Sequence, residues 1–216
     1  MEFVLKSKII ESEKKDKIKN AVILLHGYGG DGADISSIAY TWRLFIDNTI
    51  FLCPNGHQVC KLNPNGFQWF DLSIDDQNYV IDEAKKAEKI LIKYIEQIKE
   101  KYNLDNSQII LAGFSQGCMM SINLGLICKQ IFKLVIGFSG KIIDKNDLQK
   151  RIVSKTEMLL FHGDADEVVP PSNLLEAKDF LERNKIKVEV NMIKNCSHHI
   201  PIEALSLALN YIKKII

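Results

Sequence analysis

A chain of 216 residues, 46% hydrophobic and 25% charged, is long enough for one substantial core and short for two, so a single domain over 1–216 is expected. The formal net charge of +1 gives no field of one sign, which excludes nucleic acid or an anionic membrane as a partner recruited by charge. No charged segment followed by a long apolar one opens the chain and no later stretch is long enough to cross a bilayer, so a soluble, cytoplasmic protein without stable membrane insertion is expected, as monomer or homodimer.

Five cysteines, Cys53, Cys60, Cys118, Cys128 and Cys196, are odd in number and contain no C-x-x-C pair. That argues against a disulfide framework or a structural zinc site and leaves most of them as small buried apolar residues. The run from Lys6 to Lys19 mixes signs and reads as a solvated hairpin or strand end. Ala21 to Leu25 is a continuous apolar run of the kind that forms a strand buried on both faces, and it opens into His26-Gly27-Tyr28-Gly29-Gly30-Asp31-Gly32. A phosphate loop is not expected there, because neither G-K-[ST] nor the G-x-G-x-x-G spacing is present. The alternative is a loop that offers backbone N–H groups to an oxyanion.

A helix is expected from about Asp34 to Ile46 and a strand over Thr49 to Cys53, stopped by Pro54-Asn55-Gly56. From Pro54 to Asp71 the chain reads as irregular yet carries Val59, Leu62, Phe67, Trp69 and Phe70. Loops shun such residues, so they either plug the edge of the core or wall an apolar pocket, and Trp69 could do both. The longest helix is expected from about Asp76 to Tyr102, with Val80, Ala84, Ala87, Leu91, Ile95 and Ile98 forming a packing stripe and lysines on the other face.

Ser107 to Ala112 reads as another buried strand, followed by Gly113-Phe114-Ser115-Gln116-Gly117 and then a helix from Cys118. Strand, G-x-S-x-G and helix in this order make a nucleophile elbow, a turn that lifts the serine above the sheet and needs glycine where a Cβ would collide. Random order yields about 0.04 such pentapeptides in this composition, so the motif alone is suggestive. Strands are further expected over Leu134 to Phe138, Met158 to Phe161 and Val188 to Ile193, with helices over Pro171 to Asn184 and Ile202 to Ile216. Apolar strands alternating with helices predict an α/β fold: a mostly parallel central sheet with helices on both faces. No later connection is long enough for a cap domain.

Four candidate elements fall at the C-terminal ends of predicted strands, where open α/β sheets place ligands: Tyr28, Ser115, Asp166 and the later His198. The order Ser, Asp, His is that of the α/β hydrolases. A serine hydroxyl becomes an effective nucleophile when an imidazole takes its proton; His198 is the candidate base and Asp166 the carboxylate that fixes its tautomer. Backbone N–H groups of Tyr28 and Gln116 are candidates for the oxyanion hole. Rival readings are blander. His26 reads as a structural residue, His199 as facing elsewhere, Asp164 as a turn cap and Ser139 as an ordinary strand end. Cys196 lacks an elbow, and Asp164, Asp166 and Glu167 lack the further ligands of a metal site. No metal and no cofactor is expected.

Five segments in order carry a resemblance to the phospholipase/carboxylesterase family of α/β hydrolases, which includes acyl-protein thioesterases and small bacterial carboxylesterases. They are Leu25 to Gly32, Gln68 to Asp71, Gly113 to Gly117, His162 to Pro170, and His198 to Glu203. The resemblance implies a serine hydrolase that cleaves carboxylic esters or thioesters through an acyl-enzyme. It implies Ser115 as nucleophile, Asp166 as acid, His198 as base, and Tyr28 and Gln116 as oxyanion donors. Trp69 matches a residue beside the acyl pocket, with Phe67, Leu62 and Val59 as its candidate companions. Implied substrates are small acyl esters, lysophospholipids or S-acylated proteins. The alternatives are a hydrolase-fold binding protein without catalysis, or another hydrolysis such as dienelactone cleavage.

Overall fold

The computed structural model describes residues 2–14 and 17–216. In chain order these form β1 (Ser7–Glu11), β2 (Asn20–Leu25), α1 (Gly32–Trp42), β3 (Thr49–Pro54), β4 (Gln58–Val59), β5 (Phe67–Gln68) and α2 (Gln77–Tyr102). Then come β6 (Ile109–Phe114), α3 (Gln116–Ile127), β7 (Leu134–Phe138), α4 (Lys145–Gln149), β8 (Met158–Gly163), α5 (Ser172–Arg183), β9 (Val188–Ile193) and α6 (Ile202–Ile215). Seven strands make one sheet in the order β1-β3-β2-β6-β7-β8-β9. All neighbours are parallel except β1, which runs antiparallel to β3 and closes one edge. The mixed-sign stretch before β2 therefore contributes that edge strand; its Lys15 and Asp16 lie outside the described residues.

The central strands are apolar throughout because both of their faces are covered. Alternation splits them between two cores. Ala21, Ile23 and Leu25 of β2 and Ile109 and Leu111 of β6 face α2, α3 and α5, while Val22, Leu24, Ile110 and Ala112 face α1 and α6. α3 is buried from Gln116 to Leu126 and runs through the middle of the first of these cores. That explains why its sequence lacks a polar stripe.

Boundaries differ from the sequence reading where capping decides them. α1 begins two residues early, because the Asp31 side chain accepts from the Asp34 N–H at 2.8 Å and caps the first turn. It also ends at Trp42, four residues before the predicted Ile46. β6 starts two residues late, since Asn106 to Gln108 form a single helical turn ahead of it. The hairpin of β4 and β5 and the short α4 were not anticipated: two-residue strands and a five-residue helix show no readable period.

The sheet order reverses between β2 and β6. On one side of this boundary lie β3 and then the earlier strand β1, and on the other the chain runs outward through β7 and β8 to β9. The carboxyl ends of β2 and β6 flank this switch point, where doubly wound sheets open a crevice. Among the described residues, α4 and α5 are the only helices inserted between β7 and β9, and no separate cap covers the crevice.

One buried charge fastens the helices on the α3 side. The Glu88 carboxylate of α2 accepts from Asn123 of α3 at 2.8 Å and from both terminal nitrogens of Arg151, just beyond α4, at 2.7 and 3.2 Å. Arg151→Ala leaves Glu88 buried without its cation and is expected to cost about 3 kcal/mol. Lys145→Ala breaks an exposed pair with Glu176 and is expected to cost under about 1 kcal/mol. Urea unfolding of the two variants distinguishes these outcomes, and equal midpoint shifts would contradict them.

Candidate active site

Ser115 sits between β6 and α3 with φ of 50° and ψ of −113°, a conformation that costs energy for any residue with a side chain. Its neighbours make the turn fit. A Cβ on Gly113 would lie 2.3 Å from the Gly117 carbonyl carbon, and one on Gly117 would lie 2.1 Å from the Leu25 carbonyl oxygen at the end of β2. The Ser115 N–H donates to the Phe138 carbonyl at 2.8 Å, which ties the turn to the end of β7.

Two further loops bring an imidazole and a carboxylate to this hydroxyl. His198 Nε2 is 3.0 Å from Ser115 Oγ, and His198 Nδ1 is 2.8 Å from Asp166 Oδ2. The carboxylate accepts, so Nδ1 carries the proton and Nε2 is left to accept from the serine. The other carboxylate oxygen, Asp166 Oδ1, accepts from the Val168 and Val169 N–H groups, both at 2.9 Å. Burial alone raises the Asp166 pKa, but the hydrogen bonds from His198, Val169 and Val168 outweigh it and hold the group below the ordinary carboxylate value. The Asp166 and His198 loops are also joined through their backbones: Asp164 N–H donates to the Ile193 carbonyl and Ala165 N–H to the Cys196 carbonyl, each at 3.0 Å. Gly163 permits this, because a Cβ there would lie 2.1 Å from the Cys196 carbonyl oxygen.

His162 is a contributor that the sequence reading passed over. It is buried at the end of β8, its Nε2 donates to the Val169 carbonyl at 2.8 Å, and the same nitrogen lies 3.3 Å from Asp166 Oδ2. It thereby braces the 166–169 turn from beneath. Its sequence signal was a polar residue directly after a buried apolar run, at the head of a segment that carries the family resemblance, with nothing to say which group it would contact.

Gln116 is the first residue of α3, where N–H groups have no partner within the helix. Its side chain accepts from the Trp69 N–H at 2.8 Å and donates to the Phe70 carbonyl at 2.7 Å. Trp69 in turn donates from Nε1 to the His26 carbonyl at 2.9 Å. The Tyr28 loop is further held by a backbone exchange with Phe67, which accepts from Gly29 at 2.9 Å and donates to Gly30 at 2.8 Å. His26 accepts at Nε2 from the Gly56 N–H at 2.9 Å, so its Nδ1 donates to the Gly27 carbonyl at 2.7 Å. Burial lowers its pKa, in keeping with a neutral structural imidazole.

A cavity of about 560 Å³ opens beside Ser115 and Gln116, with Phe70, Leu72, Met119, Ile143 and Val168 among its walls. The four residues expected to wall such a pocket are elsewhere. Trp69 is fully buried as a strut, Val59 and Leu62 are 60% and 83% exposed, and Phe67 contributes its backbone to the Tyr28 loop. The reason is local: once Gln116 and His26 take up the main chain and indole of residue 69, the pocket wall passes to the residues that follow it. Of the other rivals, His199 engages Ser197 through Nδ1 at 3.1 Å and through its N–H at 2.8 Å. Burial raises the Cys196 thiol pKa. Among the described residues no group of three or more His, Cys, Asp or Glu is placed to hold a metal ion.

The comparisons with known proteins agree with this architecture. A family model described as phospholipase/carboxylesterase matches residues 6–216. Acyl-protein thioesterase 1 homolog 1 of Dictyostelium discoideum is 29% identical over 224 residues, covering 98% of this chain and 96% of its own. The crystal structure of esterase PE8 superposes with a TM-score of 0.93 at 33% identity, covering 98% of this chain and 99% of that one. The Bacillus cereus carboxylesterase superposes with a TM-score of 0.80 at 17% identity, covering 98% and 95%, a likeness of fold alone.

The cavity wall is anchored by Asp71, a buried carboxylate that accepts from Lys61, from the Ser73 N–H and hydroxyl at 2.9 Å each, and from the Tyr79 hydroxyl at 2.8 Å. Burial opposes its ionisation, but the bonds from Lys61, Ser73 and Tyr79 outweigh that and hold its pKa well below the usual carboxylate range. The unfolded chain therefore binds more protons than the native one from an unfolded value near ~3.9 down to the depressed native value. Its stabilisation is complete at neutral pH and is lost as pH falls through that window. Asp71→Asn should be less stable than wild type at pH 7 and show a flatter decline of urea midpoint below about pH 5. A decline as steep as wild type would contradict this.

Proposed function

This chain belongs to the phospholipase/carboxylesterase family of α/β hydrolases, and from that premise we propose that it hydrolyses carboxylic esters or thioesters through an acyl-enzyme on Ser115. The observation that carries the proposal is the unbroken hydrogen-bonded line from Asp166 through His198 to Ser115. In acylation, Ser115 Oγ attacks the carbonyl carbon while its proton passes to His198 Nε2. The resulting imidazolium is stabilised by the ionised Asp166, which itself stays deprotonated. The oxyanion is received by the N–H groups of Tyr28 and Gln116, the latter at the positive end of α3. Collapse breaks the C–O or C–S bond, and His198 returns the proton to the leaving atom. Water, deprotonated by the same imidazole, then releases the acid and restores Ser115.

The acyl chain occupies the cavity beside Ser115, whose apolar walls suit a hydrocarbon. The relatives named acyl-protein thioesterases support S-acylated proteins as substrates, and the phospholipase/carboxylesterase family supports small acyl esters and lysophospholipids beside them. Among the described residues no helix is long and apolar enough to cross a membrane. We also take the chain to act as one hydrolase domain.

Ser115→Ala is expected to lower p-nitrophenyl ester turnover by at least ~10³-fold and to abolish labelling by a fluorophosphonate probe. His198→Ala should fall comparably, while His199→Ala keeps most of its activity. Full turnover by Ser115→Ala, or loss confined to His199→Ala, would overturn these roles.

A further inference from the structure

A second cavity, of about 340 Å³, lies on the other side of the catalytic imidazole. Its floor is Phe114 and His198, whose rings are 4.9 Å apart, and its walls include Asp34, Ser37 and Ile38 of α1 and Leu205 of α6. Tyr28 borders both cavities, but Ser115 lines only the first and His198 only the second. We propose that this second cavity receives the leaving group, and that Asp34 selects alcohols and thiols that carry no negative charge. This inference rests on the acyl-enzyme function given above.

The chemistry of proton return fixes the assignment. The leaving oxygen or sulfur must take its proton from His198 Nε2, so the group attached to it departs on the imidazole side. The acyl carbon is bonded to Ser115 Oγ with its oxygen at the Tyr28 and Gln116 N–H groups, so the acyl chain extends on the Ser115 side. One cavity per side matches the two halves of an ester. The second is largely apolar, and Asp34 is the one Asp, Glu, Lys or Arg among its lining residues. The Asp34 N–H donates to the Asp31 carboxylate at 2.8 Å, so a second carboxylate stands beside Asp34, itself outside the lining. A neutral or cationic alcohol or thiol fits there, whereas an anionic one meets repulsion.

Ser37 is exposed on α1, which makes Ser37→Trp a way to fill the cavity without disturbing the core. Two ester series test it by rapid mixing: butyryl esters with leaving groups from methyl to naphthyl, and p-nitrophenyl esters with acyl chains from acetyl to octanoyl. Ser37→Trp should slow acylation by the naphthyl ester roughly tenfold relative to the methyl ester. The acyl-length profile and the deacylation rate, measured after the leaving group has gone, should match wild type. A changed acyl-length profile, an equal loss in deacylation, or no change in either series would overturn the assignment. For the charge, the preference for butyrylthiocholine over the butyryl thioester of mercaptoethanesulfonate should fall about fivefold in Asp34→Asn; an unchanged preference would overturn that part. Failure of wild type to show an acylation burst or phosphonate labelling would remove the underlying function and the proposal with it. A normal burst with insensitive leaving groups would remove the proposal alone.

Discussion

The whole site depends on one close approach: the first turn of α3 lies against the last carbonyls of β2, with glycine at residue 117 because a side chain there would overlap Leu25 and His26. That contact brings the end of β6 to the end of β2 at the point where the sheet order reverses. It sets the Ser115 turn beside the Tyr28 loop and leaves the helix N-terminus facing the same space. The unfavourable backbone angles at Ser115 persist because strands on both sides and the buried helix over-determine them.

Around this contact the chain uses hydrogen bonds rather than apolar packing to fix its loops. Gln116 and Trp69 connect the elbow to the His26 carbonyl, and Phe67 pairs with Gly29 and Gly30 further along the same loop. Asp166 is held by two N–H groups and backed by His162, and its loop is sewn to the His198 loop by two main-chain bonds. Loops so constrained lose little further entropy on forming the hydrogen-bonded line, in keeping with the general need of an active centre for preorganised polar groups.

Much of the fold was legible because strands buried on both faces leave continuous apolar runs, as at Ala21 to Leu25 and Leu134 to Phe138, and because α2 carries a clear apolar stripe. Ser115, Asp166 and His198 stood out through their positions after such runs and through the glycines beside two of them. The loop from Pro54 to Asp71 was not legible. Apolar residues in an irregular segment carry no period to say which way they face, so Trp69 as a strut and Leu62 as a solvent-exposed tip could not be told apart from pocket walls. The two cavities were equally hidden, since residues from α1, α2, α6 and the intervening loops meet there without any spacing in sequence.

Trp69 has one more consequence. The chain holds only two tryptophans, and the other, Trp42, is the last residue of α1 and is buried in the opposite core. The indole of residue 69 lies 5.0 Å from the His26 ring, tilted 31° to it, while its nitrogen donates to the carbonyl at the root of the glycine-rich turn. Nature has thus placed a fluorophore directly under the part of the molecule that must stay still while an acyl group comes and goes. With Trp42 replaced by Phe, its emission alone remains as an optical gauge of that stillness, requiring no dye or label.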